Sequence, residues 1–225
     1  MHATDPVTPP SLPSLPAPDP AALAAMPGLV AFILEADGLK RVLRQNRPLG
    51  TERQENSAEH SWQIALLAVA LAPYAAEPVD LGAVVEMLLV HDLGEIDAGD
   101  VLLYADTDWA AQKAAERAGV QRLCALLPPA RGAHLLARWE AFDAGQSAEA
   151  RFAHALDRAM PALLNLAGGG VSWRANGVRH AQVIARVGPP VAAGCPALWA
   201  HLRAQLDAAQ AAGWFGIEAA ERPGA

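Results

Sequence analysis

The sequence predicts an all-α fold, one domain of about seven or more helices, on three observations. Apolar residues recur at helical spacing through most of the chain. Alanine is abundant and aromatic residues make up only 5%, a balance that favours helix. No segment reads as a convincing strand, and no internal repeat is present. With 225 residues, 52% hydrophobic and 18% charged, the chain is long enough for one domain with a full core or for two small ones.

Residues 1–20 carry seven prolines among Ser, Thr, Ala and Leu, without period, and are expected to form a disordered tail. From about Ala21 to Arg44 the pattern is helical, with breaks expected near Pro27-Gly28 and Asp37-Gly38. Leu39, Val42 and Leu43 have core spacing there, and Lys40, Arg41 and Arg44 make a small basic face. Arg47 to Gln54 reads as a polar loop. Asn56-Ser57-Ala58-Glu59 is a capping box, with Asn56 as N-cap and Glu59 reaching back. Its helix runs to about Leu71 and stops before Pro73, with a stripe of Ile64, Leu67 and Leu71 that extends back to His60.

Pro78-Val79-Asp80 opens the next helix, where Leu81, Val84 or Val85, Leu88, His91 and Asp92 share the buried side. Glu95 follows one turn after His91, on nearly the same face. Asp97 to Asp108 is an acidic loop, and a helix from about Trp109 to Leu127 is stopped by Pro128-Pro129. Arg131 to Ala144 is the next helix, carrying Leu135, Leu136 and Trp139. Ser147-Ala148-Glu149 starts another, with a stripe of Phe152, Leu156, Met160 and Leu163 and with Asp157 on or beside it. Pro161 is expected to kink that helix by deleting a backbone hydrogen bond. Gly168-Gly169-Gly170 lacks the context of a phosphate loop and reads as a connection. Ala175 to Val187 and Ala197 to Ala212 close the fold, separated by Gly188-Pro189-Pro190. The folded domain is thus assigned to residues 21–215, and 216–225 to a frayed tail.

A formal charge of -7 argues against a general nucleic-acid or anionic-membrane surface. It leaves room for a small anionic substrate, where a metal and a few arginines reverse the local field. Cys124 and Cys195 have no metal-type spacing, so a reducing, cytoplasmic setting is expected. The chain has no run of about 18 uninterrupted apolar residues, and its N-terminus lacks a basic region followed by an apolar core. Neither a membrane span nor a signal peptide is expected. The apolar residues left outside on alanine-rich helices permit a homodimer.

Three helices each place polar groups where the core should be: His60, the pair His91-Asp92, and Asp157. Each alone has an ordinary explanation as a boundary or helix-end residue. Together, buried without partners, they would cost several kcal/mol. One divalent transition metal offsets that cost, because imidazole and carboxylate are both good ligands. The mixed nitrogen and oxygen set suits one transition-metal ion such as Mn, Co, Ni, Fe or Zn, and Mn or Co is the ion expected.

The order His60, His91-Asp92, Asp157 resembles the H…HD…D signature of the HD-domain superfamily of metal-dependent phosphohydrolases. The flanking words Glu55-Asn56-Ser57-Ala58-Glu59-His60-Ser61-Trp62, His91-Asp92-Leu93-Gly94-Glu95-Ile96-Asp97-Ala98-Gly99-Asp100 and Phe152-Ala153-His154-Ala155-Leu156-Asp157-Arg158 look like the branch of bacterial 5'-deoxynucleotidases and their eukaryotic relatives. The likeness covers roughly residues 28 to 215. It implies an all-helical fold, one divalent metal held by His60, His91, Asp92 and Asp157, and hydrolysis of a small phosphate monoester. It also implies Glu95 as the acidic catalytic group and Asp100 as an acidic residue that binds substrate and positions water. Such a site would use a metal to acidify water and a carboxylate to move the proton.

Two departures bear on substrate. The deoxynucleotidases carry an Arg-Trp pair upstream of the first His, and this chain has none before His60. Arg44, Arg47 and Arg53 are then the available phosphate partners. After Asp100 comes the apolar Val101-Leu102-Leu103-Tyr104 rather than a Thr/Pro segment. The expected substrate is a 5'-(deoxy)nucleoside monophosphate or another small phosphate ester. The competing class is a regulatory module that binds metal or nucleotide without turnover. Glu95 and Asp100, both present, favour the enzyme.

Overall fold

The computed structural model describes residues 19–216. Among them, ten α-helices and no strand are found: α1 (Pro20–Ala36), α2 (Ser57–Leu71), α3 (Leu81–Val90), α4 (Glu95–Ala98), α5 (Trp109–Cys124), α6 (Pro129–Ala144), α7 (Ala148–Ala167), α8 (Val171–Ala175), α9 (His180–Gly194) and α10 (Pro196–Ala211). The all-α expectation holds. The Pro-rich tail assigned to 1–20 lies outside the described residues apart from Asp19 and Pro20, which cap and open α1. The tail assigned to 216–225 lies outside them apart from Gly216.

α7 is the central helix, packed against α2, α3, α6, α9 and α10. Its stripe of Phe152, Leu156 and Met160 is buried against Ile64 and Ala68 of α2 and Val84, Met87 and Leu88 of α3. Its other side meets Val183, Val187 and Val191 of α9 and Leu202 and Leu206 of α10. A third cluster joins Leu39, Val90, Leu93, Val120, Leu123 and Trp139 beneath α5 and α6. Burial of these apolar faces, at about 25 cal/mol per Å², is what fixes the helices in place.

Several local expectations are corrected. Pro27 does not break α1, and Pro189-Pro190 do not end α9. The carbonyls that these prolines leave unpaired, on Leu23, Ala185 and Arg186, belong to exposed residues that water can satisfy. α7 runs unbroken through Pro161, where only a kink is expected. Leu43 is half exposed rather than core, because the 3-10 turn Asp37–Arg41 ends before it and Leu43 pairs with Asn56 instead. The helix carrying His91 stops at Val90, so Glu95 is not on it but opens α4.

α1 stays on the surface, with Leu23, Met26, Val30, Ile33 and Leu34 all substantially exposed. The segment Pro20–Arg41 is long and apolar enough to cross a membrane by length and composition, with a mean hydropathy of 1.6. Its last turn, however, buries Leu39 in the core and carries Asp37, Lys40 and Arg41.

Gly94 explains a glycine in the middle of the His91–Asp100 word. A Cβ there would collide with the Glu116 backbone of α5, and Gly119 faces Gly94 across the same crossing. Gly94→Ala is therefore expected to destabilise the fold by roughly 1–3 kcal/mol, an overpacking cost that urea unfolding would read.

Candidate metal centre and its cavity

The capping box at the start of α2 is present. Asn56 accepts from Glu59 N at 2.9 Å, and Glu59 accepts from Asn56 N at 3.2 Å. This start point turns His60 inward, where it is fully buried. His91 caps α3, and the chain then turns tightly through Asp92 into α4, with Glu95 N donating to Asp92 O. Asp157 projects from the middle of α7 between the two histidines, its Oδ1 3.0 Å from His60 Nε2 and 3.7 Å from His91 Nε2.

The proton logic of this cluster calls for a cation. His91 Nδ1 lies 2.9 Å from the Leu88 carbonyl, which only accepts, so Nδ1 carries a hydrogen. In a neutral ring the bare Nε2 lone pair then faces Asp92 Oδ1 at 2.9 Å and Asp157 Oδ1 at 3.7 Å. Acceptor facing acceptor is unfavourable unless a proton or a metal lies between them. Among the described residues, neither His91 Nε2 nor His60 Nδ1 has a hydrogen-bond partner. His60, His91 and Asp157 offer ligand atoms within 4.8 Å of one another, so the donor set fits one divalent ion. Asp92 stands beside this trio with divided duties: Oδ1 faces His91, and Oδ2 accepts from Arg44 Nη1 at 2.8 Å.

Charge shifts follow from that crowding. Burial alone would depress His91, but Asp92 and Asp157 raise it to about 10. Burial and the nearby Arg44 lower His60 to about 4. Burial pushes against the charged form of Asp92 and Asp157, yet both are held below the usual carboxylate range, Asp92 by His91 and Arg44, and Asp157 by Arg158 and the two histidines. Glu95 is raised to about 9 by burial and by its neighbour Asp92, with Ser57 Oγ donating to its Oε2 at 2.7 Å. Burial also raises Asp100.

A proton linkage follows. His91 is raised, so the metal-free protein keeps that proton at every pH below about 10, whereas a metal takes only the neutral ring. Metal uptake near pH 7.5 is expected to release about one proton, with affinity rising as pH rises. Calorimetric titration in buffers of different ionisation enthalpy would detect it. Heats independent of the buffer would contradict it.

His91, Asp92 and Asp157 of this cluster line a cavity. Its walls include Arg44, Glu95, Asp100, the segment Val101–Tyr104, Phe142 and Arg158. Arg44 arrives through a short antiparallel contact: Leu43 pairs with Asn56, and Arg44 N donates to Glu55 O at 2.8 Å. The structure thus brings together His60, His91, Asp92, Asp157, Glu95, Asp100 and Arg44. It does not bring Arg47 or Arg53 there. Arg47 pairs with Glu52 at the surface, and Arg53 forks onto Glu59. Those two expectations are corrected: residues 47–54 form an outward loop, and each arginine finds a local carboxylate.

Two further groups lie near the centre. Glu55 is buried, 3.9 Å from His60 Nδ1 and 3.8 Å from Arg44 Nε, and burial raises it to about 7. It precedes the N-cap of α2, and its place in the Glu55–Trp62 word was the available signal. Arg158 lines the cavity directly after Asp157. His154 is half-buried and does not touch the centre. Its Nε2 donates to Phe142 O at 2.7 Å, its ring stacks on the Phe142 ring, and that ring lies 5.0 Å from the His91 ring.

Comparison with known proteins matches residues 36–199 to the model of the HD domain family. The 5'-deoxynucleotidase HDDC2 of Homo sapiens is 26% identical over 131 residues, 58% of this chain and 63% of that protein. The Bos taurus counterpart is 27% identical over 131 residues, 58% of this chain and 62% of that protein. The chain thus spans less than two thirds of the length of these relatives. A predicted metal-dependent phosphohydrolase from Magnetospirillum magnetotacticum MS-1 has a similar structure, with a TM-score of 0.80 and 40% identity, covering 86% of this chain and all of that one. A conserved hypothetical protein from Pyrococcus furiosus shares the fold, with a TM-score of 0.53 and 18% identity over 81% of this chain and 99% of that one.

Proposed function

The chain belongs to the HD domain family, and from that premise we propose that it is a metal-dependent phosphohydrolase acting on a small phosphate monoester, with 5'-(deoxy)nucleoside monophosphates as the leading substrate class. The observation that carries this reading is His91 Nε2 aimed at Asp92 and Asp157 on the wall of a cavity that Glu95 also lines. A divalent cation bound there supplies Lewis acidity, acidifying water and neutralising charge on a phosphoryl oxygen. His60, His91, Asp92 and Asp157 are its ligands in this reading, and Mn or Co is the preferred ion.

The remaining roles belong to the chain's own residues. Glu95, whose carboxyl burial and the neighbouring Asp92 raise to about 9, can donate a proton to the leaving oxygen. Asp100, on the same cavity wall, orients water or a substrate hydroxyl. Arg44 neutralises the carboxylates around it, 2.8 Å from Asp92 and 3.9 Å from Asp100. The wall of Val101, Leu102 and Leu103 with Tyr104 offers few polar groups to read a base. Gln45, Asn46, Asn165 and Ser172 line the same cavity and supply such groups, and another small phosphate ester is the second substrate class.

The test is phosphate release from a panel of nucleoside monophosphates, sugar phosphates and aryl phosphates. Protein stripped with EDTA would be resupplied with Mn, Co, Ni, Zn or Mg. Metal-dependent turnover is expected. Protein that binds metal and releases phosphate from none of these esters would overturn the reading.

A further inference from the structure

Three cations reach the cavity: Arg44, Lys113 and Arg158. Five carboxylates, Asp92, Glu95, Asp100, Glu116 and Asp157, also line it. A phosphate entering so acidic a cavity needs a cation that is not already spent on these neighbours.

Arg44 is spent. Its guanidinium is nearly buried, donates to Asp92 at 2.8 Å, and lies within 3.9 Å of Glu55 and Asp100. Burial would lower its pKa, but the surrounding carboxylates raise it further. Turning it towards a substrate would strand those carboxylates. Lys113 is spent too, 2.8 Å from Glu116 and 3.2 Å from Asp143. Arg158 differs. Its side chain is 34% exposed, and its one ion-pair contact among the described residues is Nε to Asp157 Oδ2 at 3.8 Å. That is too long for a hydrogen bond, so its planar fork of donors keeps its hydrogen-bonding capacity. It is also carried on the rigid central helix, directly after Asp157.

We infer that Arg158, not Arg44, is the residue that receives the substrate's phosphoryl group in this cavity. The inference rests on the phosphohydrolase reading above and names that site's anion-binding residue. A guanidinium fork matches two phosphoryl oxygens at once, which a lysine cannot do. The Tyr104 hydroxyl is on the same wall. Burial raises its pKa to about 12, and Arg158 and Arg186 lie close enough to oppose that rise. A neutral phenol there can add a hydrogen bond to the same oxygens.

The experiment uses the full, metal-loaded chain as wild type, Arg158→Met, Arg158→Lys and, as a surface control, Arg47→Met. Binding of inorganic phosphate is measured by calorimetry, and kcat and KM on whichever monoester the wild type turns over best. Arg158→Met is expected to weaken phosphate binding and raise KM by roughly 10- to 100-fold, the loss of charge-assisted hydrogen bonds. Metal content at saturating metal and melting temperature should not move, Lys should recover part of the loss, and Arg47→Met should match wild type. Wild-type phosphate affinity and KM in Arg158→Met would overturn the inference while leaving the hydrolase reading intact. Arg158-dependent phosphate binding in a protein that turns over no ester would do the reverse.

Discussion

Replacing Asp157 by alanine is expected to cost the protein its metal and to bring phosphate release down to background. Asp157 is the only one of the four proposed ligands that approaches both histidines, 3.0 Å from His60 Nε2 and 3.7 Å from His91 Nε2. Its loss should lower metal affinity by more than the roughly 10- to 100-fold typical of groups that merely support a ligand. The fold should survive. Asp92 remains 2.9 Å from His91 Nε2 to hold that ring's proton, and removing a buried carboxylate also removes a repulsion. Metal analysis after dialysis, beside a circular dichroism spectrum, separates loss of metal from loss of fold. Unchanged metal content in Asp157→Ala would contradict the assignment.

The second large effect concerns Glu95. Glu95→Gln preserves shape and an oxygen to accept from Ser57 Oγ, now 2.7 Å away, but it cannot exchange a proton. It is expected to lower kcat by roughly 10²- to 10⁴-fold, with metal content unchanged and KM little altered. The pH profile of kcat should also lose the limb that Glu95 supplies. Near wild-type turnover in Glu95→Gln would remove Glu95 from the chemistry.

How much of this was legible in the sequence depends on how local the signal was. His60 and Asp157 could be placed inward because each lies on a helix whose apolar stripe points at the core, and the capping box set the phase of α2. Glu95 lies near the cluster but opens α4 instead of continuing the helix before it. A tight turn after Val90 has no apolar period to announce it, and Gly94 serves there for a close approach to α5 that only the tertiary structure defines. Among the arginines upstream of His60, nothing local separates Arg44 from Arg47 and Arg53. The Leu43–Asn56 pairing decides it, and pairing between residues so far apart in the chain leaves no periodic trace. Pro27, Pro189 and Pro190 read as helix breakers for the same reason, since their tolerance depends on which carbonyls face water.

The central claim is that His60, His91, Asp92 and Asp157 hold one divalent ion. The most direct measurement is anomalous diffraction from crystals grown with Mn, collected above and below the metal edge. The account predicts a single strong peak among His60 Nε2, His91 Nε2, Asp92 and Asp157, at roughly 2.0–2.3 Å from its nitrogen and oxygen ligands, and its disappearance in Asp157→Ala. A metal bound elsewhere, or no peak in protein that titrates to full Mn occupancy in solution, would contradict it.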